Sequence, residues 1–124
     1  GMQEILVDAC GWAALIEGRI NLDHGMQSVV GPFQLILLDT VEDELVKLEE
    51  KNRSNLLLDL LRQKAQVMET KEGHGKHTDD QLFVIAKEKN IPVLTVDKEL
   101  KKRLHHAGCS VIEVLGGKRL RLIE

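Results

Sequence analysis

Aromatic residues are scarce in this chain: one Trp, two Phe and no Tyr among 124 residues. Stacking bases on a row of aromatic rings is therefore excluded as a main mode of recognition. Cysteine is nearly as rare. Cys10 and Cys109 are too few for a disulfide framework and point to a reducing, cytoplasmic compartment. Both have apolar neighbours and read as small buried hydrophobes, and no Cys/His spacing resembles a zinc site. No apolar run approaches the roughly 20 residues that cross a bilayer, so no contact with membrane is expected. Repeats, low-complexity tracts and linkers are missing too. The chain enters an apolar run at once through Glu4-Ile5-Leu6-Val7, which argues against a secretory signal, and Gly1 ahead of Met2 reads as a cloning remnant.

What is present is the composition of an ordinary soluble globular protein, 43% hydrophobic and 30% charged. The length suits one core, so a single domain over residues 1–124 is expected. The net charge of −3 is unevenly spread. Asp97–Glu124 carries seven Lys/Arg against four Asp/Glu, and the preceding 96 residues carry ten against sixteen. A polyanion is attracted to the second part and repelled by the first unless a cation intervenes.

Apolar periodicity alternates between strand and helix. Strands are predicted at Glu4–Val7, Gln34–Leu38, Val67–Glu69, Pro92–Val96 and Ser110–Leu115, with a terminal hairpin through Gly116-Gly117 to Arg119–Ile123. Helices are predicted at Gly11–Glu17, Leu22–Val30, from Thr40 as cap, and at Asn55–Gln66 with Ser54 as cap. Two more follow, Asp79–Lys89 with Thr78 as cap and Lys98–Ala107 ended by Gly108. The centre of the fifth helix, Leu82-Phe83-Val84-Ile85-Ala86, is apolar all round and reads as buried. Near-continuous apolar strands alternating with helices imply an α/β fold with a mainly parallel sheet covered on both faces.

Ligands of open parallel sheets bind beyond the carboxyl ends of the strands. Two strands run straight into an aspartate there, Ile5-Leu6-Val7-Asp8 and Leu94-Thr95-Val96-Asp97, and Leu35–Leu38 runs into Asp39. In the helix that follows, Glu42 and Asp43 lie in the first turn, where they suit the helix dipole. Glu44 falls on the stripe of Val41, Leu45 and Leu48, where a carboxylate is costly unless paired or metal-bound. At the start of the fifth helix, Asp79 aligns with Leu82, Phe83 and Ala86, so spacing favours Asp79 over Asp80 for the inner face. Carboxylates gathered this closely need a counter-charge. Mg²⁺ or Mn²⁺ is the natural one, a hard cation that takes oxygen ligands and keeps waters.

With those residues in hand, the sequence resembles PIN domains, the small metal-dependent ribonucleases found as VapC-type toxins and in ribosomal RNA processing. The matching blocks are Ile5-Leu6-Val7-Asp8, Glu44-Leu45-Val46-Lys47-Leu48, Thr78-Asp79-Asp80-Gln81-Leu82 and Leu94-Thr95-Val96-Asp97-Lys98-Glu99-Leu100. The resemblance implies a three-layer α/β/α sandwich, a carboxylate pocket binding Mg²⁺ or Mn²⁺, and hydrolysis of RNA phosphodiester bonds. By position it makes Asp8, Glu44, Asp80 and Asp97 the acidic quartet, with Asp79 assisting, and it puts the Thr95 hydroxyl beside the metal or the scissile phosphate. The choice between Asp79 and Asp80 thus differs between spacing and resemblance. One departure stands out: many members follow the first aspartate with Thr or Ser, and here Ala9-Cys10 stand there.

Weaker signals complete the reading. Gly73-His74-Gly75-Lys76-His77-Thr78 fails the P-loop pattern and is read as a loop beside the pocket, with Lys76 a candidate substrate contact. Lys98, Lys101 and Lys102 share one side of a helix that starts at Asp97 and are candidates to follow a single-stranded or looped RNA backbone. His105 and His106 suit a helix end. The wide leucine arc of Asn55–Gln66 suggests packing on a second copy or a partner, and the resemblance to PIN domains implies an antitoxin or a ribosomal assembly as a partner. Two rival readings are an inactive PIN-like module that only holds RNA, and a receiver-like signalling domain. The receiver fold wants an acidic pair after its first strand and a lysine after its last, and both are missing here.

Overall fold

Apolar segments too short for helices and bounded by acids or glycine build the centre of a parallel sheet. The computed structural model describes residues 1–52 and 56–124. Its strands are β1 (Gln3–Val7), β2 (Phe33–Leu38), β3 (Ala65–Met68), β4 (Val93–Leu94), β5 (Val111–Leu115) and β6 (Arg119–Ile123). They lie in the order β3-β2-β1-β4-β5-β6, all parallel except β6, which returns antiparallel on β5. Ile5 stands beside Leu35, and Val7 beside Leu94. The inner strands are buried on both faces, with Ile5, Leu6, Val7, Leu35, Leu37 and Leu94 fully enclosed. Unbroken apolar runs are what such strands require.

Among the described residues six α-helices cover the sheet: α1 (Ala9–Glu17), α2 (Leu22–Val30), α3 (Asp39–Asn52), α4 (Leu56–Lys64), α5 (Thr78–Lys89) and α6 (Lys98–His106). α1 packs with α3 and α4, whereas α5 packs with α6. The chain leaves β1 toward β2 and later returns to β4 on the other side. Right-handed crossovers then place the two helix sets on opposite faces, giving three α/β/α layers. The same reversal opens a crevice between the ends of β1 and β4.

Local chemistry moved several boundaries. The ladder with Leu35–Leu38 takes Ala65 and Gln66, so β3 starts two residues earlier than predicted and α4 ends at Lys64. β4 is two residues rather than five, because the chain turns at Thr95 toward α6. Neither predicted threonine caps its helix. The Thr40 N–H donates to Asp39 Oδ1, and its hydroxyl donates to Gln81 Oε1 at 2.7 Å. Thr78 is already helical, behind His77, whose side chain makes no capping bond. The Ser54 cap lies outside the described residues, as does the predicted start at Asn55. α5 buries Leu82, Ile85 and Ala86 but leaves Phe83 and Val84 half-buried, so it is covered on one side, not all round. In α4, Leu58 and Leu61 belong to the core, whereas Leu60 is exposed.

α1 is held from two sides. Trp12 is fully buried and its Nε1–H donates to the Leu57 carbonyl at 2.6 Å, tying α1 to α4. On the opposite side, Gly11 faces the Leu94 carbonyl so closely that a Cβ there would overlap the β4 backbone. Backbone cannot step aside as a flexible side chain can. Gly11→Ala is expected to lower stability by about 1–3 kcal/mol, read by chemical denaturation with an unchanged m-value.

Candidate functional site at the acidic edge

β1 and β4 end side by side, and the Asp8 N–H donates to the Leu94 carbonyl at 3.0 Å. Asp8 then becomes the residue preceding α1, with its side chain only 5% exposed. Its Oδ2 accepts from the Thr95 hydroxyl at 2.7 Å and from the Cys10 thiol at 3.3 Å. Among the described residues no donor meets Oδ1. No fully buried side-chain oxygen there lacks a partner either, so Oδ1 opens toward solvent. Thr95 is completely buried, and its oxygen also accepts from the Asp97 N–H at 3.1 Å. One hydroxyl thus joins the aspartate that ends β1 to the one that caps α6. Its proton points at Asp8, which makes Thr95 a residue that positions the carboxylate.

Asp97 caps α6. Its Oδ1 accepts from the Glu99 and Leu100 N–H groups at 2.9 and 3.1 Å, and Oδ2 has no hydrogen-bond partner among the described residues. Glu44 is exposed, which corrects its placement on a buried stripe. Leu48 is 36% exposed, so the inner face of α3 narrows to Val41 and Leu45, and Glu44 reaches the mouth of the crevice. From there its charge still acts on Asp8, as does that of Asp79. Asp80 turns elsewhere: its Oδ1 accepts from Arg103 of α6 at 2.9 Å, and that guanidinium lies 4.6 Å from the centre of the Phe83 ring.

Burial is the main reason that the Asp8 carboxyl is held above its ordinary value of 3.8; the Thr95 and Cys10 hydrogen bonds pull it down, and Glu44 and Asp79 push it further up. Burial and the Asp8 charge likewise raise the Cys10 thiol, which stays protonated and serves as a donor. Cys10, read from sequence as an inert hydrophobe and as a missing hydroxyl, supplies a weak donor where a Ser or Thr would supply a stronger one.

Residues that sequence reasoning passed over hold the acids in place. Gln81 is 5% exposed, accepts from Thr40 of α3 and donates to the Gly75 carbonyl at 3.0 Å, binding α5 to α3 and to the loop before it. Asp39 Oδ1 takes the Thr70 N–H and hydroxyl at 3.1 and 2.8 Å. The Gln inside Thr78-Asp79-Asp80-Gln81 was the available signal, a polar side chain aligned with apolar positions. Of the candidate RNA contacts, Lys76, Lys98 and Lys102 are exposed, whereas Lys101 Nζ is paired with Glu113 at 3.2 Å. Among the described residues no three carboxylate, imidazole or thiol groups stand close enough to hold a metal ion as they are.

A family model described as a PIN-like domain matches residues 5–117. The chain belongs to the PIN-like domain family. This sets aside the receiver-like reading. Among solved structures, the PIN domain endonuclease Utp24 has the same fold, with a TM-score of 0.79 at 21% identity over 96% of this chain and 90% of that one. A PilT N-terminus domain protein, SSO1118 from the hyperthermophilic archaeon Sulfolobus solfataricus P2, matches with a TM-score of 0.53 at 12% identity over 90% of this chain and 87% of that one. At such identities the likeness is one of fold. A search of curated proteins returns no match. No helix of this PIN-like domain, among the described residues, is long and apolar enough to cross a membrane.

The raised Asp8 carboxyl has a thermodynamic sign. A carboxyl whose folded value exceeds its unfolded one favours the fold when protonated, and that contribution is lost as pH rises through the folded value. In EDTA, Asp8→Asn is therefore expected to melt above the wild type at pH 7. The gap should close as pH falls toward 4, and thermal melts across that range measure it.

Proposed function

We propose that this PIN-like domain is a Mg²⁺- or Mn²⁺-dependent endoribonuclease acting on single-stranded or looped RNA. The observation that carries the reading is Asp8: a nearly buried carboxylate with one oxygen fixed by Thr95 and Cys10, the other open, and two more carboxylates raising its proton affinity. All the donors are hard oxygens, and a divalent cation would relieve the repulsion among them, so the residues fit such an ion in kind. Asp8, Asp79 and Asp97 with Glu44 would hold it. Asp80 adjoins them but pairs with Arg103, which weighs against it as a ligand. When bound, the ion supplies charge neutralisation at the phosphate and acidifies a water.

The remaining work falls to the chain. Thr95 and Cys10 orient Asp8 and keep its second oxygen outward. The α6 amide groups hold Asp97. Lys98 and Lys102 offer cations to a phosphate backbone next to the acids, with Lys76 on the loop before α5. Lys101, neutralised by Glu113, contributes less. The separation of the acids as they stand supports a second reading, a PIN-like module that holds RNA without cutting it.

Incubation of a mixed single-stranded RNA with Mn²⁺, Mg²⁺ or EDTA distinguishes the two. The nuclease reading expects metal-dependent cleavage that disappears in Asp8→Asn and Asp97→Asn. Asparagine still caps a helix well, so the second change tests charge more than folding. Retained RNA binding without cleavage in all three proteins would establish the module instead. Thr95→Val should weaken metal binding about 10–100-fold, by titration calorimetry with Mn²⁺. Asp79→Asn should weaken it more than Asp80→Asn, whose exposed ion pair is worth about 1 kcal/mol at most.

A further inference from the structure

α6 lies along β5 on the face opposite the one where α1 meets β5 and α2 meets β6. Side chains alternate across a strand. Ile112 of β5 is therefore enclosed under α1, whereas Val111 and Glu113 point toward α6. Between α6 and the hairpin runs a cleft of about 360 Å³. Its floor is Cys109, Val111 and Ile123, and the carbon stems of the α6 side chains complete almost entirely apolar walls. Around the rim stand Lys98, Lys102, His105 and His106.

The buried carboxylate inside the cleft is already paired. Glu113 is 8% exposed and meets Lys101 Nζ at 3.2 Å and Arg121 Nε at 2.9 Å. Burial pushes its carboxyl up, but those two cations outweigh burial and hold it below the ordinary value, so it stays ionised. Among the described residues Lys98 and Lys102 have no ion-pair partner. The rim thus keeps uncompensated positive charge over an apolar floor.

A nucleobase fits this combination poorly. Its faces want an aromatic ring and its edges want donors or acceptors; the floor has neither, and the rings that line the cleft are the His105 and His106 imidazoles at the rim. An aliphatic side chain needs only apolar area, and carboxylates flanking it would meet the free lysines. We propose that the cleft between α6 and the β5–β6 hairpin docks a partner protein through an acidic segment that inserts an aliphatic side chain. None of the acids of the nuclease reading lines the cleft, but Lys98 and Lys102 serve both readings, and Ile123→Asp, which touches neither the acids nor those lysines, tells a failure of this proposal from a failure of that one.

Short random peptides displayed on phage, selected against the folded chain, test it. Binders should be acidic with a Leu, Ile or Val between the acids, and should shift the methyl NMR signals of Val111 and Ile123. Fluorescence anisotropy should show affinity reduced about tenfold or more by Ile123→Asp and by Lys102→Glu. Ile123 is half-buried and its variant is checked for folding by circular dichroism; Lys102 is exposed, so its variant carries the test if the first unfolds. Failure to select any binder, binders without acids, or affinity unmoved by Lys102→Glu would overturn the proposal. So would an oligouridylate that shifts the same methyl signals and competes with the peptide, since the cleft would then belong to RNA.

Discussion

Gly11 has no side chain, so the first turn of α1 rests directly on the Leu94 carbonyl, and this contact governs the acidic edge. It sets the end of β1 against the end of β4, where Thr95 lies 2.7 Å from Asp8. Trp12, one residue on, anchors the same helix to α4. A helix clamped this way has little freedom to tilt, so the Asp8 carboxylate is held by packing as well as by hydrogen bonds. Asp97 inherits the arrangement through its N–H bond to the same hydroxyl. The geometry therefore passes from a close backbone approach, through one buried threonine, to two carboxylates.

Burial differs among the acids, and so does their chemistry. Asp8 is almost enclosed, while Glu44 and Asp79 are exposed at the mouth of the crevice. Desolvation acts on Asp8 first, and repulsion from its neighbours adds to it. Neighbouring aspartates on α5 part company because a helix turns about 100° per residue. The Asp79 charge bears on Asp8, whereas Asp80 pairs with Arg103, whose guanidinium lies over the Phe83 ring. Asp79 is exposed rather than on the inner face that spacing gives it, and the resemblance to PIN domains favours its neighbour.

Much of the fold was legible because it rests on patterns that a one-dimensional string can carry. The apolar strand ending in Asp8, the helix Leu22–Val30 and the glycine turn of the final hairpin all depend on local composition. The caps at Thr40 and Thr78 were misread, because the Thr40 hydroxyl found a better partner in Gln81, 41 residues away. Glu44 was given a buried position because the stripe was extended through Leu48, which the sheet does not cover. Cys10 looked like a lost hydroxyl because nothing in the sequence says which way its thiol points.

By itself, then, the sequence determined the alternation of strands and helices, the aspartate at the end of the first strand and the PIN-like resemblance, since each follows from periodicity, turn chemistry or motif spacing. Only the tertiary structure decided which oxygen of Asp8 is free, which aspartate of α5 meets Arg103, and that Lys101 belongs to Glu113. It alone formed the cleft beside α6. Those outcomes depend on side chains from distant segments meeting at a few ångströms, and distances of that kind are set by packing.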